Sequence, residues 1–152
     1  MAHKRSDRLK PVSRFNENQE QKAANDFGKA QRELDFAVER LQQLEIYRED
    51  YARQFIEAGA GKGWNAIRAQ DYQLFLQNLD KAAGQQKAAI EQLRMTAEFK
   101  KRQWLAARNK TQAIQTVVDR YQLQETREAE KKEQKEQDDR SSIRFHRNKS
   151  SS

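Results

Sequence analysis

Residues 27–58 read FGKAQRELDFAVERLQQLEIYREDYARQFIEA, and the spacing within this stretch decides the fold of the chain. The positions separated alternately by three and four residues are Phe27, Ala30, Leu34, Ala37, Leu41, Leu44, Arg48, Tyr51, Phe55 and Ala58. All of them except Arg48 are apolar or aromatic. Apolar residues spaced 3.5 apart form one stripe along a helix, and such a stripe is buried only against another helix. The stretch therefore predicts one arm of a coiled coil.

A second heptad repeat follows a short cluster of glycines at positions 59, 61 and 63. Its two sets of seam positions are Ala69, Leu76, Ala83, Ile90, Ala97, Trp104, Thr111 and Val118, and Tyr72, Leu79, Gln86, Leu93, Lys100, Ala107, Ile114 and Tyr121. Only Thr111, Gln86 and Lys100 are polar. Because a glycine-rich break lets the chain reverse, we predict an all-α fold, a long antiparallel two-helix coiled-coil hairpin with unequal arms.

The pattern divides the chain into five segments. We predict a flexible basic N-terminal tail at 1–12, a first helix at 13–58, a glycine-rich turn at 59–64, a second and longer helix at 65–138, and a disordered C-terminal tail at 139–152. In this register the start of the first helix lies opposite about Lys110. Ile114, Val118 and Tyr121 then extend beyond the first arm without an intramolecular partner, which makes them a candidate contact surface.

The charge of the chain is distributed unevenly. The net charge is +7, with 35% charged residues and a mean hydropathy of -1.21. Residues 15–58 carry six basic and ten acidic side chains, whereas residues 65–124 carry ten basic and five acidic ones. Opposite charges on the two arms favour their pairing with each other. The basic excess is therefore weaker support for nucleic-acid binding than the net charge alone indicates.

Neither a catalytic nor a metal site is predicted. The chain has no cysteine, and its only histidines, His3 and His146, lie in the predicted tails. Acidic residues on a two-helix coiled coil face water, so they lack the burial that tunes a catalytic pKa. We predict no enzyme activity, no cofactor and no metal. No apolar run approaches the ~20 residues of a membrane span, so we predict a cytoplasmic protein without direct membrane insertion.

Aromatic residues beside the seam mark a candidate binding surface. Tyr47 and Phe75 lie one position off the seam register, while Phe36, Ile46 and Phe99 are expected to point further outward. Near the turn, the aromatic and leucine side chains that would cluster are Leu44, Tyr47, Tyr51, Phe75 and Leu79. Such residues either cover the neighbouring seam or bind a partner, and the spacing alone leaves both interpretations open.

The stretches LQQLEIYREDYARQF at 41–55 and GWNAIRAQDYQLFLQNLDKA at 63–82 resemble the flagellar type III export protein family FliJ. The resemblance is carried by Tyr47 and Tyr51, by the glycine-rich turn, and by the spacing of Tyr72, Gln73 and Phe75. It extends over nearly the whole chain and is most specific at about 34–87. Two matched positions differ from the family pattern: Arg40 stands where glutamine is typical, and Gln86 where histidine can occur.

The resemblance implies a stalk-like component of the flagellar export apparatus. Its implied partners are the hexameric export ATPase, the cytoplasmic domain of the membrane export gate, and export chaperones. It also implies a cytoplasmic protein that associates peripherally with the inner membrane. The family's gate-binding positions correspond to Leu44, Tyr47, Tyr51, Phe75, Leu79 and Ala82. The resemblance and the seam pattern together lead us to expect that Ile114, Val118 and Tyr121 bind inside the ATPase ring.

The sequence pattern also fits functions other than that of an export stalk. A generic coiled-coil adaptor, or the equivalent stalk of a virulence-type injectisome, would show the same heptads. A nucleic-acid-binding hairpin would use the basic residues Lys100, Lys101 and Arg102. The salt dependence of binding distinguishes a nucleic-acid-binding hairpin from a protein-binding one, because phosphate binding weakens steeply with added salt and an apolar protein contact does not.

Overall fold

The chain folds into two helices. The structure, a computed structural model, describes residues 4–59 and 66–150. Helix α1 spans Arg5–Gly59, with 55 residues, and helix α2 spans Ala66–Ser150, with 85 residues. The two helices pack together, and the described residues contain no strand. The prediction of an all-α hairpin with unequal arms is confirmed.

The predicted seam is the interface between the helices. Every seam position predicted on 27–58 and 69–121 is buried or half-buried. The most buried apolar residues are Ala30, Ala37, Ile90, Ala97 and Val118. Three of these are alanines, which allow the helix backbones to approach closely. No side chain in the described residues is completely buried, so the core is one side chain wide and follows the seam.

The helices form two compact units, of which the larger comprises Gln21–Leu105. In this unit the rings of Phe27 and Trp104 stack in parallel, with centroids 5.9 Å apart. The side-chain amide of Gln86 donates a 2.9 Å hydrogen bond to the backbone carbonyl of Ala37. Gln86 is one of the polar seam positions, and this bond satisfies its amide at the interface.

The other unit consists of two segments, the described residues up to Glu20 and those from Ala106 onward. Here the Thr111 hydroxyl lies 3.1 Å from the carbonyl oxygen of Ala107 on its own helix and 3.3 Å from that of Asn16 on α1, so its one proton is shared between the two acceptors. The carboxylate of Glu125 accepts hydrogen bonds from the backbone and the hydroxyl of Ser6. Val118 is only 7% exposed in this unit. Residues 4–20 therefore pack on α2 mainly through short polar side chains.

The start of α1 corrects the predicted tail at 1–12. The helix begins at Arg5 rather than at Ser13 and continues through Pro11. The seam spacing in fact extends to Ser6, Leu9, Ser13, Asn16 and Glu20, all of which are buried or half-buried. These positions are mostly polar, so hydrophobicity did not reveal them. Residues 1–3 lie outside the described residues.

The prediction that Ile114, Val118 and Tyr121 extend beyond the first arm is consequently wrong. Ile114 and Tyr121 are half-buried and Val118 is buried, because residues 4–20 cover this part of α2. The guanidinium of Arg5 lies 5.7 Å above the ring of Tyr121. These residues form the interface between the helices and do not provide an unpartnered apolar stripe.

The C-terminal boundary also differs from the prediction. Helix α2 continues to Ser150, so 139–150 is helical and not disordered. Every residue from Thr126 to Ser150 is exposed. Helix propensity and charge pairs at i,i+4 spacing, such as Glu128 with Lys132, favour a helix here without packing. Apart from Gly59, the predicted turn at 59–64 lies outside the described residues, as do 151–152.

Candidate partner-binding site

A cluster of five aromatic rings joins the two helices near the C-terminal end of α1 and the N-terminal end of α2. Tyr47, Tyr51 and Phe55 occupy successive turns of α1, and Tyr72 and Phe75 lie on α2. We call these five residues the aromatic cluster. A spacing of three or four residues places side chains on one helical face, so the heptad pattern itself brings each helix's rings together.

Tyr51 is at the centre of the aromatic cluster. Its ring centroid lies 4.7 Å from that of Phe75, 4.9 Å from that of Tyr47 and 5.6 Å from that of Tyr72. Phe55 stacks on Tyr72 at 5.0 Å, and Tyr47 meets the edge of Phe75 at 6.4 Å. These distances are in the favourable range for aromatic pairs.

Exposure separates the cluster into two parts. Tyr51, Phe55 and Tyr72 are half-buried, whereas Tyr47 is 47% exposed and Phe75 is 36% exposed. The first three hold the helices together, and the last two present aromatic surface to solvent. As predicted, Phe36, Ile46 and Phe99 also point outward, with 61%, 59% and 53% of their surface exposed.

The environment raises the pKa of two tyrosines in the cluster. The pKa of Tyr47 is raised chiefly by a hydrogen bond with Tyr51 and, to a smaller extent, by loss of hydration. For Tyr72 the main cause is loss of hydration, with a further contribution from Tyr51. Both effects favour the neutral phenols of Tyr47 and Tyr72.

A groove of about 560 Å³ lies beside the aromatic cluster, between the two helices. We call it the interhelical groove, and its lining residues are Arg40, Gln43, Leu44, Tyr47, Ala82, Gln85 and Gln86. Ala82 contributes only a methyl group, which leaves a depression beside the larger side chains. Leu44 and Tyr47 supply apolar surface, and three glutamines supply amide groups.

An ion pair adds a further link between the helices in this region. The guanidinium of Arg48, the one charged residue of the seam repeat at 27–58, donates hydrogen bonds from Nε and Nη2 to the carboxylate of Asp80. The hydrogen bond to Asp80 raises the pKa of Arg48. Both side chains are about half exposed, so we expect this pair to fix register more than to add stability.

The structure brings together most of the predicted gate-binding residues. Tyr47, Tyr51 and Phe75 contact one another in the aromatic cluster, while Leu44 and Ala82 meet Tyr47 in the interhelical groove. Leu79 is half-buried and follows Phe75 by one helical turn. The remaining predicted residues, Ile114, Val118 and Tyr121, belong to the other compact unit.

Sequence reasoning did not include Phe55, Tyr72 or the glutamines of the groove in the binding surface. Phe55 and Tyr72 stand in the seam register, so they were expected in the core, and their aromatic character was the only signal of a shared cluster. Gln43 and Gln85 carry no pattern that distinguishes them from other exposed glutamines. Only the packing of the helices shows that they line the groove.

The described parts of the chain offer neither a metal-binding cluster nor a membrane span. In residues 4–59 and 66–150, no group of three or more histidine or acidic side chains is arranged to hold a metal. Neither helix, over the same residues, contains a stretch with the length and apolar character required to cross a bilayer.

The fold defines a two-helix coiled-coil protein, in which partly exposed aromatic side chains lie beside the interhelical groove. The family model described as Flagellar FliJ protein matches residues 5–150. The chain belongs to the FliJ family, which makes it a component of the flagellar export apparatus. No curated protein and no solved structure matches the chain significantly.

Proposed function

We propose that the protein is the coiled-coil stalk of the flagellar type III export apparatus, linking the export ATPase ring to the membrane export gate and holding export chaperones. The family match over residues 5–150 carries this proposal. The same membership supports our further proposal of a non-catalytic role in protein transport and motility, with a cytoplasmic location at the inner face of the inner membrane.

The gate-binding surface is the exposed part of the aromatic cluster together with the interhelical groove. Two arguments support this assignment. The family resemblance leads to Leu44, Tyr47, Tyr51, Phe75, Leu79 and Ala82. The exposure of Tyr47 and Phe75 supports the same region independently, because partly exposed aromatic side chains beside a concave surface are typical anchors of protein interfaces.

The ATPase-binding surface belongs, in this proposal, to the unit formed by residues 4–20 and 106–150. The interior of that unit is occupied, since Val118 is buried beneath the N-terminal part of α1. Ring binding would therefore use the outward faces of both helices. The segment Thr126–Ser150, in which every residue is exposed, offers an accessible surface for such a contact.

A binding experiment tests the two contacts separately. The full-length protein is titrated in moderate salt against the export ATPase and, in a second series, against the cytoplasmic domain of the gate. We expect binding to both. Tyr47→Ala and Phe75→Ala should weaken gate binding at least about tenfold and leave ATPase binding unchanged. Phe99→Ala is the matched control, since Phe99 is an exposed aromatic residue outside the groove lining.

Two results would contradict the proposal. The absence of both interactions in a protein whose circular dichroism shows intact helices would leave only an adaptor of another kind. Equal losses in Phe99→Ala and Tyr47→Ala would show that gate binding does not depend on the aromatic cluster.

A further inference from the structure

Arg40 carries the only charge among the seven residues that line the interhelical groove. The apolar surface of the groove comes from Leu44, Tyr47 and Ala82, and its amides come from three glutamines. One basic group at the edge of an otherwise neutral, partly apolar groove is an arrangement that selects a partner by charge as well as by shape.

The position of the Arg40 guanidinium is restricted by the chain itself. Its central carbon lies 5.6 Å from the ring centroid of Phe36, one helical turn earlier on α1. A cation held over an aromatic face loses little freedom when it pairs with a second group. Within residues 4–59 and 66–150, no carboxylate forms an ion pair with Arg40.

The neighbouring charges leave Arg40 uncompensated on the α2 side. Residues 81–90 contain Lys81 and Lys87 and no acidic residue. The preceding acidic residue, Asp80, pairs with Arg48. On α1, Glu39 and Glu45 are exposed but do not line the groove. The groove therefore presents a net positive edge to a partner.

From this arrangement we infer that the interhelical groove binds a segment of the export gate in which an apolar side chain stands beside a carboxylate. The apolar side chain packs on Leu44, Tyr47 and Ala82, and the carboxylate pairs with Arg40. The inference rests on the proposed function, because it specifies the chemistry of the partner at the same surface. Arg40 thus determines the specificity of the contact, while Tyr47 anchors it.

Charge substitutions at position 40 test the inference with the full-length protein and the cytoplasmic domain of the gate. Arg40→Glu should weaken binding about tenfold or more, and Arg40→Gln about threefold. Arg14→Glu is the matched control, because Arg14 is exposed and belongs to the other compact unit. It makes the same change in net charge and should leave the affinity within about twofold.

Salt provides a second measurement on the same proteins. An ion pair at the edge of an interface weakens as ionic strength rises, whereas an apolar contact does not. The affinity of the unsubstituted protein should therefore fall between low and moderate salt. That dependence should be smaller in Arg40→Gln than in Arg14→Glu.

Zero-length cross-linking identifies the partner carboxylate. Arg40→Lys keeps the positive charge and provides an amine, which a carbodiimide joins to a carboxylate in direct contact. We expect mass spectrometry to find position 40 linked to an aspartate or glutamate of the gate domain. Replacing that acidic residue of the gate domain by lysine should restore its binding to the Arg40→Glu variant.

The outcomes separate this inference from the proposed function. If Tyr47→Ala loses gate binding while Arg40→Glu binds normally, the inference is overturned and the proposed function stands. If neither substitution changes gate binding, the groove is not the gate-binding surface and both fail. A cross-link from position 40 together with the charge-reversal rescue would establish the carboxylate contact.

Discussion

Ser6 near the start of α1 is bound to Glu125 on α2 through both oxygens of one carboxylate. The Ser6 hydroxyl donates to Oε2 at 2.6 Å, and its backbone N–H donates to Oε1 at 3.1 Å. The first N–H groups of a helix have no partner within the helix, and a carboxylate near them interacts favourably with the helix dipole. Glu125 therefore caps α1 from the other helix.

This cap should be sensitive to acid. Hydrogen bonds from Ser6 lower the pKa of Glu125 from its ordinary value of 4.5, so the folded state binds the proton less tightly than the unfolded state. The stabilisation is complete above the ordinary pKa and is lost as pH falls through the lower folded value. We therefore expect the first turn of α1 to fray in that pH range. The measurement is the heteronuclear NOE of the Ser6 amide, which should fall as the turn frays.

Glu125→Gln should remove this pH dependence, and Glu128→Gln, on an exposed residue three positions later, should preserve it. An unchanged acid transition in Glu125→Gln would show that another group controls the N-terminal turn.

The two tyrosines on α1 should differ in their effect on stability. Tyr51 is half-buried and contacts three other rings, so Tyr51→Ala should lower the free energy of unfolding by about 2 kcal/mol. Tyr47 is more exposed, and Tyr47→Ala should cost less than about 1 kcal/mol. Urea denaturation followed by circular dichroism measures both. Equal losses of unfolding free energy in the two variants would place Tyr47 in the core. Tyr47→Ala would then test stability and not binding alone.

Two helical glycines should be replaceable by alanine with a gain in stability. A Cβ at Gly84 would meet no atom within 4 Å, and one at Gly28 would meet only the end of the Arg32 side chain at 3.4 Å. Alanine favours the helix by about 0.8–1 kcal/mol relative to glycine, so each change should raise the melting temperature. A lower melting temperature in Gly84→Ala would show that the helix propensity of alanine does not govern stability at this position.

The stacked pair of Phe27 and Trp104 should be a major contact of its unit. Trp104 is half-buried, and Trp104→Ala should lower the free energy of unfolding by about 2–3 kcal/mol, somewhat less than for a fully buried ring. Phe99→Ala serves as the comparison, since Phe99 is 53% exposed and lies outside the seam. Denaturant unfolding should show little change in that variant; similar losses in both would mean that stacking contributes no specific stability.

The heptad spacing predicted the helical hairpin and the buried face of each arm between Phe27 and Ala58 and between Ala69 and Tyr121. This was possible because apolar periodicity is a local property that reports directly which side of a helix is buried. The same reasoning showed that Tyr47 and Phe75 lie at the edge of the seam. The aromatic part of the candidate site was thus largely visible in the sequence.

Hydrophobicity did not show where α1 begins, because Leu9 is the one apolar residue among its first five seam positions; the other four are Ser6, Ser13, Asn16 and Glu20. The helix extends to Arg5 with the help of a carboxylate 119 residues away in the chain, which no local pattern can indicate. The interhelical groove likewise depends on the register that places Ala82 beside Leu44 and Arg40. Periodicity therefore determined which faces are buried, whereas the pairing of the two helices decided which residues cap, cover and line one another.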